Sequence, residues 1–210
     1  MNGKTLYVSD LDGTLLRSDE RLSSFTCETI NALCEKGMLF SYATARSYNT
    51  ASRVTRGMNA RIPLIVYNGA FIVDNATAEI LLTTCFDQEQ ARAMLRELLA
   101  ADIHPIVYAL IDGEEKFSYA PDRQTPGAKE YTDSRRGDKR ERRIDDERLL
   151  FDGEIFYITC IDEPEKLKPF DLRWRDAHHC VYQRDIYSGA QWLEIMPREA
   201  SKSQAIARLK

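Results

Sequence analysis

Along the first part of the chain, hydrophobic positions switch repeatedly between the periods of strands and helices. Leu6, Tyr7 and Val8 form an unbroken apolar run within Thr5 to Ser9, the pattern of a strand buried on both faces. Between Ser24 and Lys36, Cys27, Ile30, Leu33 and Cys34 recur at helical spacing, and Gly37 is placed to cap the C-terminus. Leu39 to Ala43 predicts a second strand, Ser47 caps a helix running toward Met58, and Leu64 to Tyr67 predicts a third buried strand. Short strands alternating with helices imply a parallel sheet.

The pattern then changes. Phe71 to Val73 and Glu79 to Thr83 flank the polar Asp74 to Ala78 and predict a hairpin. Asp87 with Gln90 resembles a capping box, ahead of a helix whose stripe is Ala91, Met94, Leu95, Leu98 and Leu99. His104 to Ile111 and Glu115 to Tyr119, joined by Asp112-Gly113, predict a second hairpin. Gly153 to Ile161, Cys180 to Arg184 and Trp192 to Met196 add strands, with a helix over Glu163 to Phe170. A mixed domain over residues 86–196 is therefore expected inside a first domain of 1–85 and 197–210. The charge-dense Ser134 to Arg148 is expected as a solvated loop or helix face, because five acids interleave its basic residues.

Composition narrows the class. With 210 residues, 43% hydrophobic and 30% charged, the chain has the makeup of a folded globular protein. A net charge of -4 gives no reason to expect nucleic acid, and no apolar run approaches a membrane helix. Five scattered cysteines with no CxxC spacing argue against a disulfide framework or zinc site, and His178 with His179 reads as a solvated pair. The expected setting is the cytoplasm.

The candidate chemistry sits in Ser9-Asp10-Leu11-Asp12-Gly13-Thr14-Leu15-Leu16, directly after the first strand. In an open parallel sheet, ligands bind beyond the carboxyl ends of the strands. Two acids two residues apart repel one another, and a cation such as magnesium, which takes hard oxygen ligands, would resolve the repulsion. An Asp-Gly pair alone is equally a turn signal. Farther along, Thr44 ends the second strand just ahead of a helix, a position receptive to a phosphoryl group. Lys202, in a helix's first turn after Ser201, is electrostatically disfavoured unless an anion lies nearby.

The DLDGTLL string resembles the haloacid dehalogenase-like phosphatases, and three further segments follow in that family's order: Ala43-Thr44-Ala45-Arg46, Tyr67-Asn68-Gly69-Ala70 and Ser201-Lys202-Ser203-Gln204-Ala205. The last two resemble the Cof-type branch. This resemblance implies an α/β fold, with a Rossmann-like parallel-sheet core and an inserted α+β cap domain. It implies a magnesium-dependent phosphatase of small phosphorylated metabolites that forms an aspartyl-phosphate. Asp10 would be the nucleophile and Asp12 the general acid and base. Thr44 and Lys202 would stabilise the transferring group, Arg46, Asn68 and Gly69 would line the substrate side, and Mg2+ would be held by Asp10 and Asp12. Ala45 stands where many relatives have Gly.

By the same resemblance the family continues from the lysine helix into a strand ending in a GDxxND-like acidic motif. This chain stops at Lys210, and Gly137-Asp138, followed by Lys139 and Arg140, is no substitute. The resemblance thus implies a C-terminally incomplete core, weak magnesium binding, impaired activity and self-association through an exposed core edge. Two other readings stay open: a sugar phosphomutase, and a non-catalytic binding or interaction fragment.

Overall fold

The computed structural model describes residues 5–185 and 188–209, which form two compact units, one of residues 5–84 with 199–209 and the other of the described residues between 85 and 198. In the first unit, β1 (Leu6–Ser9) pairs in parallel with β2 (Leu39–Tyr42), and an isolated parallel bridge from Ala43 to Ile65 leads to β3 (Leu64–Val66). β3, β4 (Phe71–Val73) and β5 (Ile80–Thr83) form an antiparallel meander. Side chains alternate across this layer as strand geometry requires. Phe40, Tyr42 and Leu64 enter a core with Ile30 and Cys34 of α1 (Ser24–Glu35) and Ala51 of α2 (Tyr48–Val54). Ala43 and Ile65 enter another with Ile72 and with Ala205 of α6 (Lys202–Arg208).

The expected burial of β1 on both faces is not met. Val8 packs against the α6-side core, but Tyr7 is 53% exposed and Phe25 77% exposed. Among the described residues β1 has only β2 beside it, and Tyr7, Leu15, Phe25, Thr29 and Phe40 line an open groove of about 410 Å3. Phe40, the register partner of Tyr7 on the same face, is covered by α1, so Tyr7 is exposed because no strand among the described residues flanks β1 on its other side. α2 also ends at Val54, short of Met58.

The second unit has one six-stranded sheet. In chain order it comprises α3 (Gln88–Ala100), β6 (Ile106–Ile111), β7 (Glu114–Tyr119), α4 (Pro126–Asp133), β8 (Glu141–Arg143), β9 (Glu154–Ile161), α5 (Pro164–Trp174), β10 (His179–Arg184) and β11 (Gln191–Met196). Strand order is β10-β11-β9-β6-β7-β8, antiparallel throughout except for β7 with β8. Asp112 and Gly113 turn the β6–β7 hairpin with φ of 53° and 79°, the left-handed pair that matches strand twist. Met94, Leu95 and Leu98 of α3 pack with Val107, Ile158, Leu193 and Ile195 and with Leu167 and Trp174 of α5. On the strands' other side chains, the buried Tyr157 hydroxyl donates to Glu194 Oε1 at 2.6 Å. Burial raises the Tyr157 hydroxyl well above the usual tyrosine range and keeps it a donor.

Three expectations change here. α5 runs on through Pro169 to Trp174, because burial of Leu167 and Trp174 on one face, with the buried Asp171 paired to Lys168 and Arg175, outweighs the missing proline N–H. The charge-dense stretch contains β8 and is not simply solvated: Arg140, 12% exposed at its side chain, lies between Asp138 and Glu115. His178 meets the Phe86 ring edge-on at 5.7 Å, so it packs and is not one of a solvated pair. The cysteines are free, and no helix among the described residues is long and apolar enough to cross a membrane.

Candidate active site

Backbone hydrogen bonds hold the carboxyl ends of β1, β2 and β3 side by side. Ala43 N donates to Ser9 O at 2.9 Å, Thr44 N to Ile65 O at 3.0 Å, and Asn68 N to Thr44 O at 2.9 Å. Immediately past β1, Leu11–Leu15 forms a single wide turn closed by Leu16 N donating to Leu11 O at 2.8 Å. Leu11 and Leu16 are both sunk in the core, and Gly13 supplies the left-handed step with φ of 70°. The apolar residues of DLDGTLL thus anchor the turn that carries the two acids.

Each acid has its own cation. Asp10 accepts Leu11 N on Oδ1 at 2.7 Å and Lys202 Nζ on Oδ2 at 2.6 Å. Asp12 binds Arg46 in a fork, with Nε to Oδ2 at 2.9 Å and Nη2 to Oδ1 at 2.6 Å. Arg46 Nη2 also reaches Glu20 Oε2 at 2.6 Å. The hydrogen bond to Asp12 is the main cause that raises the Arg46 guanidinium above its ordinary value, against the opposing effect of burial. Three carboxylates, Asp10, Asp12 and Glu20, face two cations, which leaves a net charge of -1. The repulsion expected between Asp10 and Asp12 is therefore relieved largely by side chains, and Lys202's place in the first turn of α6 is relieved by Asp10.

The remaining expected residues lie around this pair. Thr44 is fully buried, and its Oγ1 accepts Arg46 N at 3.1 Å, leaving its hydroxyl proton to donate. The helix after it begins only at Tyr48, and Ser47 Oγ already accepts Thr50 N at 3.2 Å, so it offers less to an anion than the sequence suggests. Tyr67, Asn68 and Gly69 have consecutive φ of 50°, 53° and 104°, a strained turn rather than the strand end expected at Tyr67. A Cβ on Gly69 would lie 2.4 Å from Ser201 O, so only glycine lets this turn meet the cap of α6. Arg46, expected on the substrate side, pairs with Asp12 and with Glu20, an acid that sequence reading did not single out.

Among the described residues no group of three His, Cys, Asp or Glu side chains converges on a metal position. Asp10 and Asp12 still form a hard oxygen set, which fits magnesium, an ion held by one or two carboxylates with waters and substrate phosphate in its other positions.

A family model described as haloacid dehalogenase-like hydrolase matches residues 7–210. The chain belongs to this family. YwtE of Bacillus subtilis (strain 168), a 5-amino-6-(5-phospho-D-ribitylamino)uracil phosphatase, is 26% identical over 217 residues, covering 95% of this chain and 74% of its own. YitU, a phosphatase of the same name from that organism, is 37% identical over 67 residues, covering 32% of this chain and 25% of its own. Several local matches to curated relatives, two from Buchnera aphidicola among them, span only 25% to 38% of those proteins' length. A crystal structure from Thermotoga maritima shares the fold, with a TM-score of 0.74 at 23% identity, covering 99% of this chain and 74% of that one. The Cof-type resemblance of the sequence agrees with the family match and with the two Bacillus relatives.

Proposed function

We propose that this haloacid dehalogenase-like hydrolase is a magnesium-dependent phosphatase of small phosphorylated metabolites, with a phosphorylated sugar or polyol as the substrate class. The observation that carries the reading is the pair Asp10 and Asp12 at the end of β1, with Lys202 drawn onto Asp10 at 2.6 Å. An Asp10 carboxylate oxygen attacks phosphorus and the bond to the leaving oxygen breaks, with Asp12, after it has taken up a proton and given up one of its two Arg46 contacts, giving that oxygen the proton. Water then attacks the aspartyl-phosphate, Asp12 takes its proton, and the bond between phosphorus and Asp10 breaks to free phosphate. Lys202 and the Thr44 hydroxyl offset charge on the transferring group. Magnesium held by the Asp10 carboxylate and the Asp12 backbone carbonyl would supply further charge stabilisation. The two Bacillus relatives named as phosphatases of a phosphoribityl compound support the substrate class. Residues 85–198 are proposed as the cap that selects among such substrates.

Phosphate release from an aryl phosphate with magnesium, and with a chelator as control, tests the reading. Asp10→Asn is expected to abolish acid-trapped phosphoenzyme and to lower turnover by about 10³-fold or more. Near-normal turnover in that variant would exclude the covalent route.

A further inference from the structure

We propose that Glu20 is a positioning residue for Asp12, acting through the Arg46 guanidinium. Glu20 lies in a tight turn, with Glu20 N donating to Arg17 O at 2.9 Å and Arg17 N to Arg21 O at 3.0 Å. Its φ of 58° is in the left-handed region that side-chain-bearing residues avoid. In that conformation its carboxylate reaches the same Arg46 Nη2 that binds Asp12, both at 2.6 Å. One carboxylate fork leaves a guanidinium free to swing with its partner. A second carboxylate on the shared nitrogen ties its plane to another part of the chain and so fixes the orientation in which Asp12 is held. The Arg46 side chain is only 17% exposed, so these contacts escape much of the screening that weakens surface pairs.

The effect on catalysis rests on the phosphatase reading, whereas the coupling of Glu20 to Asp12 does not. Glu20→Ala should fold, because the side chain is 44% exposed and its removal opens no cavity. The Arg46 Nε–H, held on Asp12 Oδ2 at 2.9 Å, should give a protected signal in nitrogen-15 NMR of the wild-type chain and lose that protection in Glu20→Ala. On an alkyl phosphate, kcat should fall about tenfold with KM within about twofold, and Glu20→Gln, which keeps an acceptor, should recover most of it. An unchanged Nε–H signal in Glu20→Ala overturns the inference, as does a rise in KM at constant kcat, which would make Glu20 a substrate contact. A wild-type chain that releases no phosphate while the Nε–H response is intact defeats the phosphatase reading and leaves the coupling standing.

Discussion

In the unit of residues 5–84 and 199–209, Lys202 reaches Asp10 across 192 positions of sequence, and Arg46 reaches Asp12 and Glu20 across 34 and 26. In the 85–198 unit, Arg148, Lys129, Arg136, Lys168 and Arg175 all pair with acids two to four residues away. Pairs of the second kind form wherever a turn or helix forms, and the solvent-exposed ones among them contribute little to stability. Pairs of the first kind exist only after strands and helices distant in sequence have packed. Their convergence is held by cores such as Leu11, Leu16 and Leu64, not by the charges themselves. The 85–198 unit has long-range pairs too, such as Arg140 with Glu115 and Arg173 with Glu97, but in the first unit the long-range pairs converge on the two candidate acids.

The largest effect expected from this contrast is in the second unit, where a continuous sheet packs against α3 and α5. Leu98 is fully buried there, and Leu98→Ala should cost about 2–5 kcal/mol in denaturant unfolding. A loss below about 1 kcal/mol would mean that this core collapses readily around a void and is looser than its burial implies.

A pair of glycine substitutions sharpens the comparison. Gly69 and Gly137 both have positive φ, 104° and 81°, but only Gly69 has backbone in the way of a Cβ. Gly137→Ala measures the conformational penalty alone, about 1 kcal/mol. Gly69→Ala adds the collision with Ser201 O and should cost about 1–3 kcal/mol in total, with a drop in phosphate release as Lys202 is displaced. Equal losses from the two variants would mean that α6 shifts freely on the Tyr67–Gly69 turn.

Much of this architecture was legible because the signals were local. The Asp112-Gly113 turn, the Asp87 and Ser201 caps and the α3 stripe are set by residues within a few positions of one another, and the structure has all of them. The apolar run alone did not give the exposure of Tyr7, because it reports what a strand could bury, whereas the family resemblance implied an exposed core edge, and β1 has only β2 beside it among the described residues. α5 passes Pro169 and β8 forms from Glu-Arg-Arg, both through tertiary contacts that override local preference. At the site, the string around Asp10 and Asp12 could be read, since its leucines and glycine explain its turn. Glu20 could not, because nothing near it in sequence marks an acid that meets Arg46 26 positions later.

The smallest effect concerns Arg148, which donates to Asp146 from both its side chain and its backbone N–H. The Arg148 side chain, ahead of that backbone bond, holds the Asp146 carboxyl below the usual aspartate range. A depressed carboxyl stabilises the fold at pH above its ordinary value, near 3.9, and that contribution disappears as pH falls through the lowered one. The Arg148 side chain is 89% exposed, so water and salt screen the pair. Arg148→Ala should therefore change the melting temperature at pH 7 by less than about 1 °C, with any difference vanishing toward pH 2. A shift of several degrees at pH 7 that persisted in high salt would give a two-residue pair the weight expected only of the convergent pairs around Arg46 and Lys202, and the contrast between local and convergent pairs would not hold.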